Sequence, residues 1–190
     1  MHVDEAIRRR RSHKLFDGTP IDPATLSELI DLAIWAPNHR RTEPWRFAAV
    51  CGSELRTLTD VACARLEAAD PGSEASANKI RKLRQMLAGA GAVVAVSYLR
   101  SPDDPVRDRE DYAATTCAIE NLMLGAVARG LASYWTTGAA LLHRNLETFW
   151  QLGAGEELVG AIVLGVGAIE MPAVRQKTVL DVTRWPGRLA

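Results

Sequence analysis

The sequence has few cysteines, and their spacing is unlike that of a cross-linked or zinc-binding domain. Its 190 residues include only Cys51, Cys63 and Cys117, and no two of them form a CxxC motif. This odd and widely spaced set argues against a disulfide framework and a structural zinc site. The four histidines show no ligand spacing either. Reduced thiols are typical of the cytosol, so we expect a cytoplasmic protein that holds no metal.

The sequence also lacks an excess of charge of either sign and a long apolar run. Lysine plus arginine and aspartate plus glutamate both number 23, so the formal net charge is zero. A general nucleic-acid binder usually carries a basic excess. The longest uncharged apolar stretch covers residues 86–99, whereas a membrane span needs about 20 residues. Residues 1–11 hold no apolar stretch of signal-peptide length. We therefore expect neither nucleic acid nor a membrane as a partner.

What is present is the composition of an ordinary globular domain, with 47% hydrophobic and 24% charged residues. A chain of this length usually forms one domain, so we expect residues 1–190 to form a single unit. Hydrophobic periodicity and turn residues predict the elements. Helices are expected at 23–35, 54–69, 76–87, 109–129 and 143–152, and strands at 45–51, 92–99, 131–136 and 158–166. No GxGxxG turn and no GxxxxGK[ST] motif occurs, so a Rossmann or P-loop nucleotide site is not supported.

Two segments have features that are typical of contacts with a second subunit or with another surface. The helix predicted at 109–129 is apolar or small on nearly all its faces, which is typical of a helix buried on several sides. We expect it to lie centrally or at a subunit interface. The chain from residue 168 onward has no continuous apolar face, so we expect it to lie across another surface.

The first candidate binding segment is the basic run at the start of the chain. Four adjacent arginines, residues 8–11, are followed by Ser12 and Lys14. Neighbouring helix positions point about 100° apart, so the four guanidinium groups cannot share one face. Arginine forks with a serine hydroxyl suit a phosphate. The alternative is a solvated basic end of the first helix, which also suits the helix dipole.

The second candidate is the loop at residues 36–45. Two prolines stiffen it, and Asn38 and His39 give it hydrogen-bonding groups. Loops of this kind often carry binding residues. The alternative is a plain turn, and for Trp45 we favour a role as a core anchor.

Two further segments are weaker candidates. A predicted strand end is followed by a turn whose backbone N–H groups could address the edge of a flat heteroaromatic ring; the residues are Trp135, Thr136, Thr137 and Gly138. An ordinary strand-to-helix turn is the alternative. Arg175 and Lys177 share one side of an extended tail by their alternate spacing. They could form a second cationic pair for a phosphate or lie in solvent.

These segments, in this order and spacing, resemble the FMN-dependent nitroreductase family, especially its short single-domain bacterial members. The RRSxK pattern of Arg10 to Lys14 and the later AP…PW loop carry most of the resemblance, which covers nearly the whole chain. It implies an α+β fold, with a central, mostly antiparallel sheet wrapped by helices. It further implies an intertwined homodimer with FMN at the interface, NADPH or NADH as electron donor, and a small-molecule electron acceptor.

The resemblance also implies roles for individual residues. Arg10, Arg11 and Ser12 match positions that hold the FMN phosphate and ribityl chain, and Lys14 matches one near the flavin pyrimidine edge. The remaining matches are Asn38 and His39 from the other chain, the turn Trp135, Thr136, Thr137 and Gly138 at the N5 edge, and Arg175 and Lys177 as the second phosphate cations. No catalytic side chain is demanded, because the flavin supplies the redox chemistry.

The chain differs from the family pattern at Arg41, Glu43 and Thr137, all expected near the substrate pocket. The expected activity is transfer of two electrons by a ping-pong mechanism to nitroaromatics, quinones or related acceptors. Three alternatives remain open at this point. They are a flavoenzyme for one dedicated metabolite, a flavin-binding or flavin-delivery protein with little turnover, and a small α+β protein whose basic start binds a phosphorylated partner.

Overall fold

The fold is built on an antiparallel sheet of four strands. A computed structural model describes residues 1–142 and 146–185. The strands are β1 (Trp45–Cys51), β2 (Ala92–Leu99), β3 (Ala132–Thr136) and β4 (Glu156–Gly165). Their order across the sheet is β1-β2-β4-β3, and each neighbouring pair is antiparallel. This architecture of helices around an antiparallel sheet confirms the predicted fold class.

Helices cover both faces of the sheet, and two of them come before the first strand in sequence. They are α1 (Val3–Arg9), α2 (Pro23–Ala33), α3 (Gly52–Ala69), α4 (Glu74–Gly89), α5 (Pro105–Ala128), α6 (Ala139–Leu142), α7 (Glu147–Trp150) and α8 (Val179–Val182), with a 3₁₀ turn at His39–Arg41.

Capping and proline placement fix where the helices begin. The Asp22 side chain accepts the Thr25 backbone N–H at 2.9 Å, and Pro23 occupies the first turn of α2. Asp104 does the same for Arg107 at 3.1 Å, with Pro105 in the first turn of α5. A side-chain cap and an N-terminal proline both favour a helix start. As a result, α5 begins four residues before the predicted residue 109.

Most predicted elements are confirmed, with one clear correction. Strands β1 and β2 cover the predicted residues, and β3 and β4 differ from prediction by one or two residues at their ends. The helix predicted at 143–152 is wrong in extent, because α7 ends at Trp150 and Gln151 adopts a left-handed backbone with φ 54°. Residues 143–145, where that prediction began, lie outside the described residues.

The two faces of the sheet have separate apolar cores. Alternate residues of β2, such as Val94 and Val96, face α2 and α5, and the residues between them face α3 and α4. Leu29 of α2 and Leu122 of α5 are fully buried in the first core, and burial of such a side chain stabilises by about 2 kcal/mol. Gly125 lets α2 approach α5 closely, because a Cβ there would lie 2.8 Å from a Leu32 methyl.

Within one chain, α5 is buried on one side rather than on several. Its sheet-facing residues, among them Ala118 and Leu122, are inaccessible to solvent, whereas Ala113, Cys117 and Ala128 are exposed. Trp45 is 6% exposed and belongs to the first core, which confirms its predicted role as a core anchor.

Candidate active site

The segment after α1 adds an extended strap beside the outer edge of β3. We call residues 10–16 the N-terminal strap. The His13 backbone N–H donates to the Ser133 carbonyl at 2.9 Å, and bridges join Ser12 to Ser133 and Phe16 to Gly167. These bonds place the RRSxK side chains next to the end of β3. The structure therefore brings together the first and third segments predicted from the sequence.

Residues at the end of β3 point alternately into two cavities, as side chains along a strand do. The first, of about 300 Å³, we call the arginine cavity; it is lined by Arg10, Ser12, Glu120, Met123, Trp135 and Thr137. The second, of about 500 Å³, we call the lysine cavity; it is lined by Lys14, Leu15, Leu66, Lys79, Lys82, Leu83, Gln85, Met86, Tyr134, Thr136, Gly138 and Ala140. The predicted site residues of the strap and the turn are thus divided between two neighbouring cavities, except Arg11, which is among the lining residues of neither.

Polar groups of the strap and the adjoining start of β3 lack protein partners within the described residues. Arg10 lines the arginine cavity, whereas Arg11 and Ser133 lie close to its lining residues in sequence and are not among them. Arg10 Nε lies 3.8 Å from Glu120 Oε1, a loose ion pair. Arg11 donates from Nη1 to the Arg10 carbonyl at 2.7 Å, but its buried Nε has no acceptor within the described residues. The buried Ser133 Oγ is also unpartnered there. Leaving a buried polar group unsatisfied costs about 1–3 kcal/mol, so a phosphate with several acceptor oxygens fits this donor set.

The lysine side of the site is held by an aromatic contact. Lys14 Nζ lies 4.9 Å from the centre of the Tyr134 ring, within the range of a cation–π interaction. The Gly138 backbone N–H donates to Thr136 Oγ1 at 3.1 Å. A ring edge bound at this turn would therefore compete with a local hydrogen bond for the Gly138 N–H.

Trp135 lines the arginine cavity, but its N–H is turned towards the sheet. The indole is partly buried, and its Nε1 is unpartnered within the described residues. A Cβ on Gly160 would lie 2.1 Å from that nitrogen. The N–H is thus directed against the backbone of β4, and only the absence of a side chain at Gly160 makes room for the ring.

His13 also belongs to this neighbourhood, although the sequence gave no reason to select it. Its Nδ1 is buried without a partner in the described part of the chain. Partial burial, and secondarily the positive charge of Arg11, lower the pKa of His13. A histidine kept neutral beside an arginine leaves the positive charge of this edge on the arginines.

The loop at residues 36–45 lies away from the N-terminal strap in the folded chain. His39 Nδ1 is 2.7 Å from Glu110 Oε2 near the start of α5, whereas Arg10 approaches Glu120 on the same helix. Ten residues of α-helix span about 15 Å. Within one chain, the structure therefore does not bring Asn38 and His39 to the strap.

That loop has an unusual backbone conformation that its contacts maintain. Arg40, Arg41 and Glu43 have φ values of 56°, 53° and 43°, which residues with side chains seldom adopt. The Glu43 backbone N–H donates to Asn38 Oδ1 at 3.1 Å, and Thr42 Oγ1 donates to the buried Asp111 at 2.5 Å. Strained segments of this kind concentrate at functional sites.

The second cationic pair is also separate from the strap. Arg175 and Lys177 are exposed and make no hydrogen bond or ion pair within residues 1–142 and 146–185. The same tail exposes the apolar side chains of α8, including Leu180 at 79%. One chain alone thus provides the strap and the turn, but not the other two predicted parts of the site.

The described residues form neither a metal site nor a membrane-spanning helix. Within the described residues, no cluster of three or more His, Cys, Asp or Glu side chains could hold a metal ion. No described helix is long and apolar enough to cross a bilayer.

Known proteins share this sequence pattern and fold. The chain is 29% identical to the protein YfhC of Bacillus subtilis (strain 168), over 92% of this chain and 88% of YfhC. YfhC carries the provisional name of an NAD(P)H nitroreductase. A nitroreductase-like family protein from Bacillus cereus superposes with a TM-score of 0.84 at 24% identity, covering 99% of this chain and 97% of that one.

A second solved structure is equally complete in coverage. The FMN and NADPH-dependent nitroreductase NfnB from sphigopyxis sp. strain HMH has a TM-score of 0.79 at 20% identity, covering 99% of this chain and 100% of that one. The family model described as Nitroreductase family matches residues 7–166, which include the strap, the strained loop and the whole sheet. The resemblance predicted from the sequence is therefore confirmed, and the chain belongs to the Nitroreductase family.

Proposed function

We propose that the protein is an FMN-dependent NAD(P)H oxidoreductase that passes two electrons to nitroaromatics, quinones or related acceptors by a ping-pong mechanism. The observation that carries the proposal is the set of donors on the strap, where Arg10 and Ser12 line the arginine cavity and the buried Nε of the adjacent Arg11 lacks an acceptor within the described residues. The names of relatives support the cofactor and the donor, since NfnB is called FMN and NADPH-dependent and YfhC is placed among the NAD(P)H nitroreductases.

The protein's own residues have distinct tasks in this proposal. Arg10, Arg11 and Ser12 hold the phosphate and the ribityl chain by charge-assisted hydrogen bonds. The ammonium of Lys14, fixed over Tyr134, stabilises negative charge at the pyrimidine edge by preorganised electrostatics. Bound FMN supplies the hydride chemistry. Reduction of a nitro group to a nitroso group consumes NAD(P)H and one proton and releases NAD(P)⁺ and water.

The remaining predicted parts of the site require a second copy of the chain. We propose a homodimer in which Asn38 and His39 of one protomer, and the tail with Arg175 and Lys177, complete the cofactor site of its partner. The exposed small residues of α5 and the exposed apolar residues of α8 support this arrangement, because neither surface is covered within one chain. In the proposed dimer, residues 1–190 of each protomer form one domain.

The first test is a visible absorption spectrum of the purified protein. We expect a yellow protein that sediments as a dimer and bleaches anaerobically when NADPH or NADH is added. Free FMN at the same concentration, mixed with the same nucleotide, is the control for uncatalysed reduction. A yellow protein that never bleaches would favour a flavin carrier instead. A colourless protein that takes up no FMN would refute the proposal.

A further inference from the structure

The lysine cavity combines an apolar floor with positive charge and no negative charge. Leu66, Leu83, Met86 and the Tyr134 ring contribute apolar surface, and Lys14, Lys79 and Lys82 also line the cavity. Among the described residues that line it there is no aspartate or glutamate. Its volume of about 500 Å³ lies in the range of cavities that enclose small organic ligands.

The lysines of α4 differ from the other cations near them. Arg84, two residues after Lys82 on the same helix, forms an ion pair of 3.2 Å with Asp60 of α3. Lys79 and Lys82 form no ion pair within residues 1–142 and 146–185. They are three positions apart and therefore share a face of α4. Met86 and Leu83 lie on that same face, so charge and apolar surface are presented together.

The cavity adjoins the proposed flavin edge. Lys14, Thr136 and Gly138 line it. The proposed function places Lys14 at the pyrimidine edge of the cofactor, and the family resemblance places Thr136 and Gly138 at the N5 edge. A molecule held against Met86 and Tyr134 would thus lie beside the reactive part of the site. The arginine cavity, on the other side of the β3 end, contains Glu120 and does not share this uniform charge.

We propose that the lysine cavity binds the electron acceptor and selects aromatic acceptors that carry an anionic group. Lys79 and Lys82 are the specificity-determining residues. The apolar floor accepts the ring, and the two ammonium groups stabilise the anion at its rim. The inference rests on the proposed function, because it assigns a preferred substrate class to the same site.

A pair of acceptors matched in shape but not in charge tests the assignment. 4-Nitrobenzoate and 4-nitrobenzamide have nearly the same shape and differ in charge. Each is titrated calorimetrically into the oxidised FMN-loaded protein without an electron donor, so that only binding is measured. In the Lys79→Gln/Lys82→Gln variant, we expect the Kd of 4-nitrobenzoate to rise about five- to tenfold, since two ion pairs near the surface are lost and each contributes modestly. The Kd of 4-nitrobenzamide should change less than about twofold.

Matched single variants separate the cavity from general surface charge. Lys82→Gln removes one charge from the cavity, and Arg81→Gln removes one from the adjacent exposed position of α4, which does not line it. We expect only Lys82→Gln to weaken 4-nitrobenzoate binding. In steady-state assays the KM for 4-nitrobenzoate should follow its Kd while kcat stays unchanged. Added salt should reduce the difference between wild type and variant by screening.

Several results would overturn the inference while leaving the proposed function intact. One is a protein whose flavin bleaches with NAD(P)H but whose affinity for 4-nitrobenzoate is the same in wild type and the double variant. Equal losses in Arg81→Gln and Lys82→Gln would show a long-range charge effect only. A raised KM for NADPH but not NADH, with unchanged acceptor binding, would assign the lysines to the donor phosphate. A flavin that never bleaches would refute the proposed function and the acceptor assignment with it.

Discussion

The centre of the sheet and its β3 edge differ in how completely their buried polar groups are satisfied. At the centre, the side chains from Ala92 to Tyr98 are all buried, and the one hydroxyl among the small residues, Ser97 Oγ, donates to Glu156 at 2.7 Å. At the edge, Arg11 Nε, His13 Nδ1 and Ser133 Oγ are buried and have no partner within the described residues. The hydroxyl at the centre is satisfied within the chain, whereas the edge keeps polar atoms without a protein partner, which agrees with the cofactor site proposed there.

This difference assigns stability and binding to separate parts of one small fold. Folded proteins retain unsatisfied groups where function requires them and compensate elsewhere. The central strands and the helices on both faces supply the compensation through apolar burial. Changes in the centre should therefore alter the free energy of unfolding, and changes at the edge should alter affinity for the cofactor.

The largest expected effect is on stability, at a residue next to the strained loop. Trp45→Ala should lower the free energy of unfolding by about 3–5 kcal/mol, because it leaves a large cavity in the first core. Urea denaturation of the cofactor-free protein measures this change, and Trp45→Phe, which keeps an aromatic ring in the core, should cost less. FMN affinity of the folded fraction should stay within about twofold of wild type. A stable Trp45→Ala protein with weakened FMN binding would show that the loop is part of the site rather than of the core.

The second largest expected effect is on the affinity for FMN and follows from a substitution in the N-terminal strap. Arg10→Ala should raise the Kd for FMN at least about tenfold, since a hydrogen bond to a charged group contributes about 1.5–3 kcal/mol. Its loose pair with Glu120 predicts a stability change below about 1 kcal/mol in the cofactor-free protein. Fluorescence titration of FMN gives the affinity, and Ser12→Ala should shift it in the same direction by less.

Arg9 provides the matched control for that substitution. It is adjacent in sequence, exposed, and paired with Glu5 at 3.1 Å within α1. Arg9→Ala should leave FMN affinity unchanged. Equal effects of Arg9→Ala and Arg10→Ala would mean that the basic run acts as a solvated charge cluster, as the alternative interpretation of the sequence holds.

The sequence predicted what local patterns encode. Runs such as AVVAVSYL at 92–99 mark a buried strand by composition alone, and Asp22 with Pro23 marks the start of α2 by capping chemistry. The end of α7 was missed because Gln151 takes a left-handed backbone without the glycine that usually signals it. Arg40 and Arg41 also take a left-handed backbone without a glycine, so no local pattern predicted their conformation.

The site was predictable only where neighbouring residues form it. The strap and the turn at 135–138 were identified as separate segments, and their meeting follows from a strand pairing that no local pattern encodes. Lys79 and Lys82, which line the lysine cavity, were not selected from the sequence because amphipathicity shows that a helix has a polar face but not which cavity that face borders. Roles assigned to single site residues remain predictions until the variants are measured.

The smallest expected effect tests the edge region without any ligand. Burial and the charge of Arg11 lower the pKa of His13 in the folded protein below its ordinary value of 6.5. The unfolded chain then binds more protons in the window below about pH 6.5, so the free energy of unfolding falls as pH drops through that window. His13→Gln should remove this part of the pH dependence. Urea denaturation of wild type and variant between pH 8 and pH 5 measures it, and the comparison at pH 8, where His13 is neutral in both states, isolates the packing effect of the substitution. If the two pH profiles stay parallel down to pH 5, His13 finds a partner in solution, and the edge is less incomplete than its unpartnered Nδ1 indicates.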